Sequence, residues 1–477
     1  MKKFITALLA AVVTMAASGC NASAARRYVM PQSGSDGART SVHDPSVFCD
    51  KDGVFYAFGS HYAVASSKDL LCWTQLASDG DYGVLYGKNC AEAVGFPGFP
   101  EVLRETLALV YPRSSITTTW APDVEYYDGT YYMYYSLTGY FGSRQSAIGR
   151  VEAKSVLGPY ENNEIIVDSM GGTGDAPNCI DPELFYDKKG GLWMVYGSFA
   201  GGIYVKELWN KGNNWGLPKE SGYGKRVWAN EEKGVEGPFI FYHEDTGYYY
   251  LITSHGDLGS DYNMRVARSK YPDGPYVDVS GADVATSGGG YKLAGNYVLG
   301  EDGYAAIGHN SVVKTSDDLG DRYFVVAHAR RKEGDAGVTA EHQLSVFQLY
   351  FTEDGWPVMN PNCYAGEATG RGIERETLVG EYDLLLHTKE TTAEFAKSEK
   401  CCFSADGTIL KEGVDVGKWE YKDDCFVALA LGKTQYRGIV TPSWRMYAGA
   451  EKGPVFSMTA ISDTMQTLWA VGRFAAQ

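Results

Sequence analysis

The 477-residue sequence predicts an all-β protein: a five-bladed β-propeller over residues 40–375, followed by a small C-terminal β-barrel or sandwich over 376–477. Three observations carry that reading. The chain holds 57 Gly and 35 Tyr, a composition that fits many tight turns between aromatic-rich strands. A hairpin scheme repeats five times between residues 44 and 328. Beyond residue 375 the scheme stops, while apolar and polar residues go on alternating.

The 44% hydrophobic share is ordinary for a globular chain and excludes disorder. A formal net charge of −16 argues against nucleic acid or an anionic membrane surface as partner, since both repel an acidic protein.

Along the chain, Lys2 and Lys3 precede an apolar run from Phe4 to Ala17, which reads as a targeting segment rather than a spanning helix. It ends in Ala17-Ser18-Gly19-Cys20, which resembles a bacterial lipoprotein box with Cys20 as the lipidated residue; a plain cleaved signal peptide is the alternative. Both place the mature protein outside the cytoplasm; the first adds a lipid on Cys20 as its one expected membrane attachment, the second leaves it secreted. Residues 21–39 read as a linker.

The repeats then follow. Each joins a short apolar strand, a turn rich in Asp, Gly or Lys, and a strand rich in Tyr, Phe, Trp and Val. The first runs from Asp44 to Ser60, the second from Ala121 to Ser136, the third from Asp181 to Ser198, the fourth from Glu236 to Ser254. A weaker fifth spans Gly308 to His328. Anchors at 44, 121, 181, 236 and 309 are 77, 60, 55 and 73 residues apart, so each blade would carry loop insertions beyond a minimal blade of roughly 40–50 residues. A propeller brings the first residue of every innermost strand to one end of a shared channel. A long β-sandwich would explain the hairpins but not acidic residues at equivalent places.

From Gly380 the strand-opening acids are missing, but Gly417-Lys-Trp-Glu-Tyr421 and Thr467-Leu-Trp-Ala-Val471 still alternate, which predicts a separate β domain from near Arg375. Eight cysteines besides Cys20 leave any disulfide pairing open, and no Cys/His spacing suits structural zinc. Gly432-Lys433-Thr434 ends like a phosphate loop, but Val427 stands where that loop needs Gly.

Three blades open on a carboxylate: Asp44, Asp181 and Glu236. Opposed carboxyls in a sugar-sized cleft are the equipment of glycoside hydrolysis, one ionised to activate water and one protonated to supply the leaving oxygen. A third carboxylate nearby would favour the protonated form of the acid. Aromatic faces suit sugar rings, and Trp73, Trp120, Phe141 and Phe199 fall near predicted blade ends.

His43-Asp44-Pro45, Trp120-Ala-Pro-Asp-Val124, Asn178-Cys-Ile-Asp181-Pro182, Tyr196-Gly-Ser198, Val235-Glu236-Gly-Pro238 and Gly308-His309-Asn-Ser-Val312 together resemble glycoside hydrolase family 43, and within it the extracellular two-domain endo-arabinanases. The likeness extends over Glu341-His-Gln-Leu-Ser345 and Asp354-Gly-Trp-Pro-Val358, so it spans roughly residues 40–370 in family order. The resemblance implies Asp44 as general base, Glu236 as general acid, and Asp181 as the carboxylate that tunes and orients the acid. It implies sugar contacts from Asn178 and Ser198, beside the aromatic candidates Trp120 and Phe199. It also implies a hydrated metal, commonly calcium, at the channel centre near His309; a buried His bonded to a backbone carbonyl is the plainer reading of that residue.

The implied reaction is inverting endo-hydrolysis of internal α-1,5-L-arabinofuranosyl links in arabinan by a monomeric, lipid-anchored enzyme. An exo-acting arabinofuranosidase or β-xylosidase of the same fold, or a non-catalytic glycan-binding lipoprotein, are the alternatives.

Overall fold

The computed structural model describes residues 28–33, 40–111, 118–140, 142–318, 320–333, 337–422, 424–445 and 452–472. Cys20 and Phe141 lie outside them. Among the described residues, no helix is long and apolar enough to cross a membrane, and the other eight cysteines are unpaired.

The chain is all-β, and its first part is propeller-like. Four antiparallel sheets of four strands follow one another, each a meander in chain order. The first holds Ser46–Cys49, Phe55–Phe58, Val64–Ser67 and Trp73–Ala77. The second holds Trp120–Tyr127, Thr130–Thr138, Ser146–Ala153 and Glu161–Asp168; the third, Glu183–Tyr186, Leu192–Tyr196, Ile203–Leu208 and Lys225–Trp228. The fourth holds Glu236–His243, Tyr248–His255, Asn263–Ser269 and Tyr291–Ala294. The next sheet departs from this four-stranded pattern and has seven strands. Its centre is still a meander of Asp302–Asp317, Gly320–Glu333, Gln343–Phe351 and Pro357–Cys363, with short strands added.

Local chemistry makes these hairpins. Asp128 and Gly129 both take positive φ (47° and 84°) between the paired residues Tyr127 and Thr130, the backbone that a two-residue hairpin turn requires. The long first step between anchors is an insertion with a short helix, Arg104–Val110, whose Leu107 and Val110 join the core between the first two sheets.

Consecutive strand residues point to opposite faces, so the adjacent and fully buried Tyr134 and Tyr135 show that the second sheet is covered on both sides. Tyr135 packs with the first sheet and Tyr134 with the third. Further apolar cores lie between the third and fourth sheets, between the fourth and the seven-stranded sheet, and between that sheet and the first.

Eight strands from Gly380–His387 to Thr467–Gly472 close into a barrel, which settles the barrel-or-sandwich choice. Tyr382, Phe403, Trp419, Met458 and Leu468 are packed together in its core. Gly432 and Lys433 are simply the turn between two of its strands. The barrel is fused to the propeller part: Trp469 stacks edge-on against Tyr297 at 4.8 Å, and Ala396 and Lys397 pair in parallel with Tyr297 and Val298.

Candidate active site

The innermost strands open on residues of positive φ: Asp44 (53°), Ala121 (34°), Asp181 (58°), Gly237 (53°) and His309 (46°). Pro follows the first four and Asn310 the fifth. Ladder register shifts occur across Trp120/Asp123, Glu236/Phe239 and Gly308/Ser311, as a bulge produces. This corrects the alignment read from the repeats. The structural equivalent of Asp44 and Asp181 is Gly237, and Glu236 stands one residue earlier, level with His43 and Trp120. Its carboxylate therefore joins the site from the position before the bulge.

Serines at the end of each second strand tie one sheet to the next. Ser60 Oγ accepts the Ala121 amide at 2.8 Å, Ser136 Oγ that of Asp181 at 3.0 Å, and Ser254 Oγ that of His309 at 2.7 Å. Ser198 breaks the series and donates instead to Glu236 Oε2 at 3.0 Å. The equivalent amide, that of Gly237, donates to Asp181 Oδ2 at 3.1 Å instead, and the Ser198 hydroxyl turns to the neighbouring carboxylate.

One cavity of about 540 Å³ is lined by all eight residues expected from the sequence: Asp44, Trp120, Asn178, Asp181, Ser198, Phe199, Glu236 and His309. Asn178 keeps its Oδ1 buried without a hydrogen-bond partner, so the atom is available to a ligand hydroxyl. Phe199 is 42% exposed, which leaves a face for a sugar ring. Trp73 is not in the cavity. Its indole donates to Leu70 O at 3.3 Å, and it packs on the core between the first and seven-stranded sheets.

The acids differ in proton affinity. Burial alone would push Asp44 up, but His309, with Nδ1 at 3.0 Å from Oδ1, and His43 at 3.4 Å outweigh it and hold Asp44 well below the usual carboxylate range. Ser60 Oγ also donates to Asp44 Oδ2 at 2.5 Å. Burial raises Glu236, opposed by His309 and by Tyr262, whose hydroxyl donates to Oε1 at 2.7 Å. Asp181 is pushed up to about 7, by burial first and then, against the pull of His309, by Glu236 and Asp44. Its Oδ2 accepts the Gly237 amide at 3.1 Å and so pins the backbone next to Glu236. Burial would lower His309, yet Asp44 and Asp181 carry it up to about 9. The arrangement sets a carboxylate of lowered proton affinity beside carboxyls of raised proton affinity in the same cavity, which is the polarity that acid–base hydrolysis needs.

Beneath the acids the strand openings surround a hollow of about 20 Å³, lined by Asp44, Asp123, Asp181, Glu183, His309, Asn310 and Ser311 among others. Both side-chain polar atoms of Asn310 and the hydroxyl of Ser311 are buried without partners. Oxygen-rich donors, nearby carboxylates and orphaned polar atoms fit a hydrated hard cation such as calcium. His43, His328 and His342 also cluster, with ligand nitrogens within 4.8 Å of one another. His43 lies parallel to His342 at 11° and to His328 at 29°, however, so their lone pairs run side by side rather than toward one point. That cluster is packing, not a metal centre.

Sequence reasoning missed Ser60, Tyr262, His43 and His328 as parts of the site. The serines had a signal, since Ser60, Ser136, Ser198 and Ser254 all end the repeat unit. Tyr262 had none: it is one tyrosine among 35, in the loop before the third strand of the fourth sheet.

The family profile described as glycosyl hydrolases family 43 matches residues 96–357, and one described as a C-terminal lipocalin-like domain matches 361–470. The chain is 38% identical over 468 residues to an "Extracellular endo-alpha-(1->5)-L-arabinanase" of Thermotoga petrophila, covering 90% of this chain and 93% of that protein. It is 35% identical to "Extracellular endo-alpha-(1->5)-L-arabinanase 2" of Bacillus subtilis, covering 90% and 92%. The crystal structure of endo-1,5-alpha-L-arabinanase from Thermotoga petrophila superposes with a TM-score of 0.79 at 36% identity, over 91% of this chain and 99% of that one.

Proposed function

This chain belongs to glycosyl hydrolase family 43, and on that premise we propose that it hydrolyses internal α-1,5-L-arabinofuranosyl links of arabinan with inversion. The observation that carries the reading is the pairing in one cavity of Asp44, held well below the usual carboxylate range, with Glu236, raised above it by burial. Asp44 is the general base: it takes a proton from water as the water attacks the anomeric carbon. Glu236 is the general acid and gives its proton to the departing glycosidic oxygen. A single displacement of this kind needs the two carboxyls roughly 6.5–9.5 Å apart, with water between them. Asp181 orients the acid through Gly237, and above about pH 7, where it ionises, its negative charge opposes ionisation of Glu236. Asn178 and Ser198 bind sugar hydroxyls in the cleaved subsite, and Trp120 and Phe199 give faces to the rings.

The seven-stranded sheet serves as the fifth blade; the apolar core between it and the first sheet supports this closure. Calcium would be held by Asn310, Ser311 and water, with His309 a ligand only once the ion displaces its proton, and it would supply positive charge that lowers the cost of gathering three carboxylates. Dialysis against a chelator, followed by calcium or magnesium, tests that part; unchanged activity and melting temperature would remove the ion. The targeting segment and the relatives named extracellular support work outside the cytoplasm; anchoring through Cys20 rests on the Ala17-Ser18-Gly19-Cys20 motif alone, and a monomeric state is part of the same proposal.

The test of the whole is chromatography of products from linear arabinan. A ladder of arabino-oligosaccharides is expected from the parent and none from Glu236→Ala. Near-parental release by that variant would refute the assignment, and arabinose alone from the parent would make the action exo.

A further inference from the structure

We propose that His328 is a positioning residue: a buried imidazole that fixes the backbone of Asp44 and backs the tyrosine that holds Glu236. The inference rests on the reading of Asp44 as base and extends it to a residue that touches no substrate.

The ties between sheets point to it. Ser60, Ser136, Ser198 and Ser254 each end a second strand and reach the opening of the next sheet. In the seven-stranded sheet that place belongs to His328, which pairs across the ladder with Gly308, next to the opening residue His309. The Asp44 amide donates to His328 Nδ1 at 3.2 Å, so the last sheet is tied to the first by an imidazole where the others use a hydroxyl. A nitrogen that accepts this amide carries its lone pair there. It therefore cannot also donate to Asp44 Oδ1, which lies 3.4 Å away. The ring proton then sits on Nε2, which is buried without a partner.

An imidazole also does what a hydroxyl cannot, because it packs. His328 is fully buried and stacks on His43 at 4.6 Å on the base side and on Tyr262 at 5.6 Å on the acid side. Tyr262 is the residue that donates to Glu236. Gly308 makes room, since a Cβ there would stand 2.2 Å from the Tyr262 ring. One side chain thus sets the position of the base through its amide and of the acid through Tyr262.

The experiment compares His328→Asn, whose amide oxygen reaches the place of Nδ1, with His328→Gln, whose oxygen reaches the place of Nε2, and with His328→Phe, which keeps the stack and removes the acceptor. All three are assayed as the full chain on linear arabinan, with melting curves. We expect His328→Asn to keep kcat within about ten-fold of the parent. His328→Gln and His328→Phe should lose roughly a hundred-fold or more in kcat, with KM changed less than about three-fold. If His328→Phe fails to fold, the Asn/Gln pair decides. Equal kcat for Asn and Gln, or losses confined to KM, would overturn the proposal. Asp44→Ala run alongside separates the two readings: an active Asp44→Ala sinks the base assignment, whereas an inactive one beside a fully active His328→Gln sinks His328 alone.

Discussion

The hydroxyl of Tyr262 donates to Oε1 of Glu236 at 2.7 Å, while burial works in the opposite direction and raises the proton affinity of that carboxyl. The bond favours the ionised form and burial the protonated one, and burial is the larger of the two. A raised carboxyl keeps its proton to higher pH than an ordinary one, and activity that needs the proton is lost as pH rises through the raised value. Tyr262→Phe removes a stabiliser of the anion at constant volume. The alkaline limb of kcat/KM should therefore move up, by on the order of one pH unit. A profile measured between pH 5 and 10 checks this, and a downward shift would contradict it.

Asp181→Asn should move the same limb the other way. The amide oxygen can still accept the Gly237 amide, but the negative charge that Asp181 carries above about pH 7 is gone, so the acid ionises more easily there. The expected result is an alkaline limb lower by on the order of one pH unit, with kcat reduced even at low pH. Opposite shifts from these two variants would locate the alkaline limb in Glu236.

Phe199 lines the cavity with much of its ring exposed. Covering roughly 50 Å² of that ring with a sugar at about 25 cal/mol/Å² gives about 1.2 kcal/mol, or nearly ten-fold in binding. Phe199→Ala should accordingly raise KM on arabino-oligosaccharides about five- to ten-fold and leave kcat within two-fold. Steady-state kinetics on a hexamer reads both numbers.

Trp469 belongs to the barrel, yet it is fully buried in the core that contains Tyr297, Trp356 and Ile252 of the propeller part. Trp469→Ala should cost about 3–5 kcal/mol and lower the melting temperature of the whole chain in one transition. Two separate transitions in calorimetry would show instead that the barrel is an independent appendage.

Much of this architecture was legible because hairpins announce themselves locally. Asp128-Gly129 between two tyrosine-rich strands can do little else, and Pro45, Pro122, Pro182 and Pro238 mark strand openings. Register was legible but easily misread. Glu236 aligns with Asp44 and Asp181 as an acid, although the Pro that follows each opening residue of the first four sheets matches Gly237 to them, and the positive φ of Gly237 bears that out. The extra strands of the seven-stranded sheet escaped notice for a different reason. Tyr297–Leu299 and Ala396–Lys397 are too short to show a period, and they pair only because the barrel folds back over the propeller part. Contacts made across hundreds of residues, such as Asp44 with His328, leave no trace in local spacing.

The most direct test of an ionised Asp44 and a protonated Glu236 acting in a single displacement is the anomeric configuration of the first product. Proton NMR during hydrolysis of linear α-1,5-arabinan, recorded before mutarotation, should show the new reducing end as the β anomer. Initial accumulation of the α anomer would mean a covalent intermediate and a nucleophilic carboxylate, and would contradict the roles assigned to both residues.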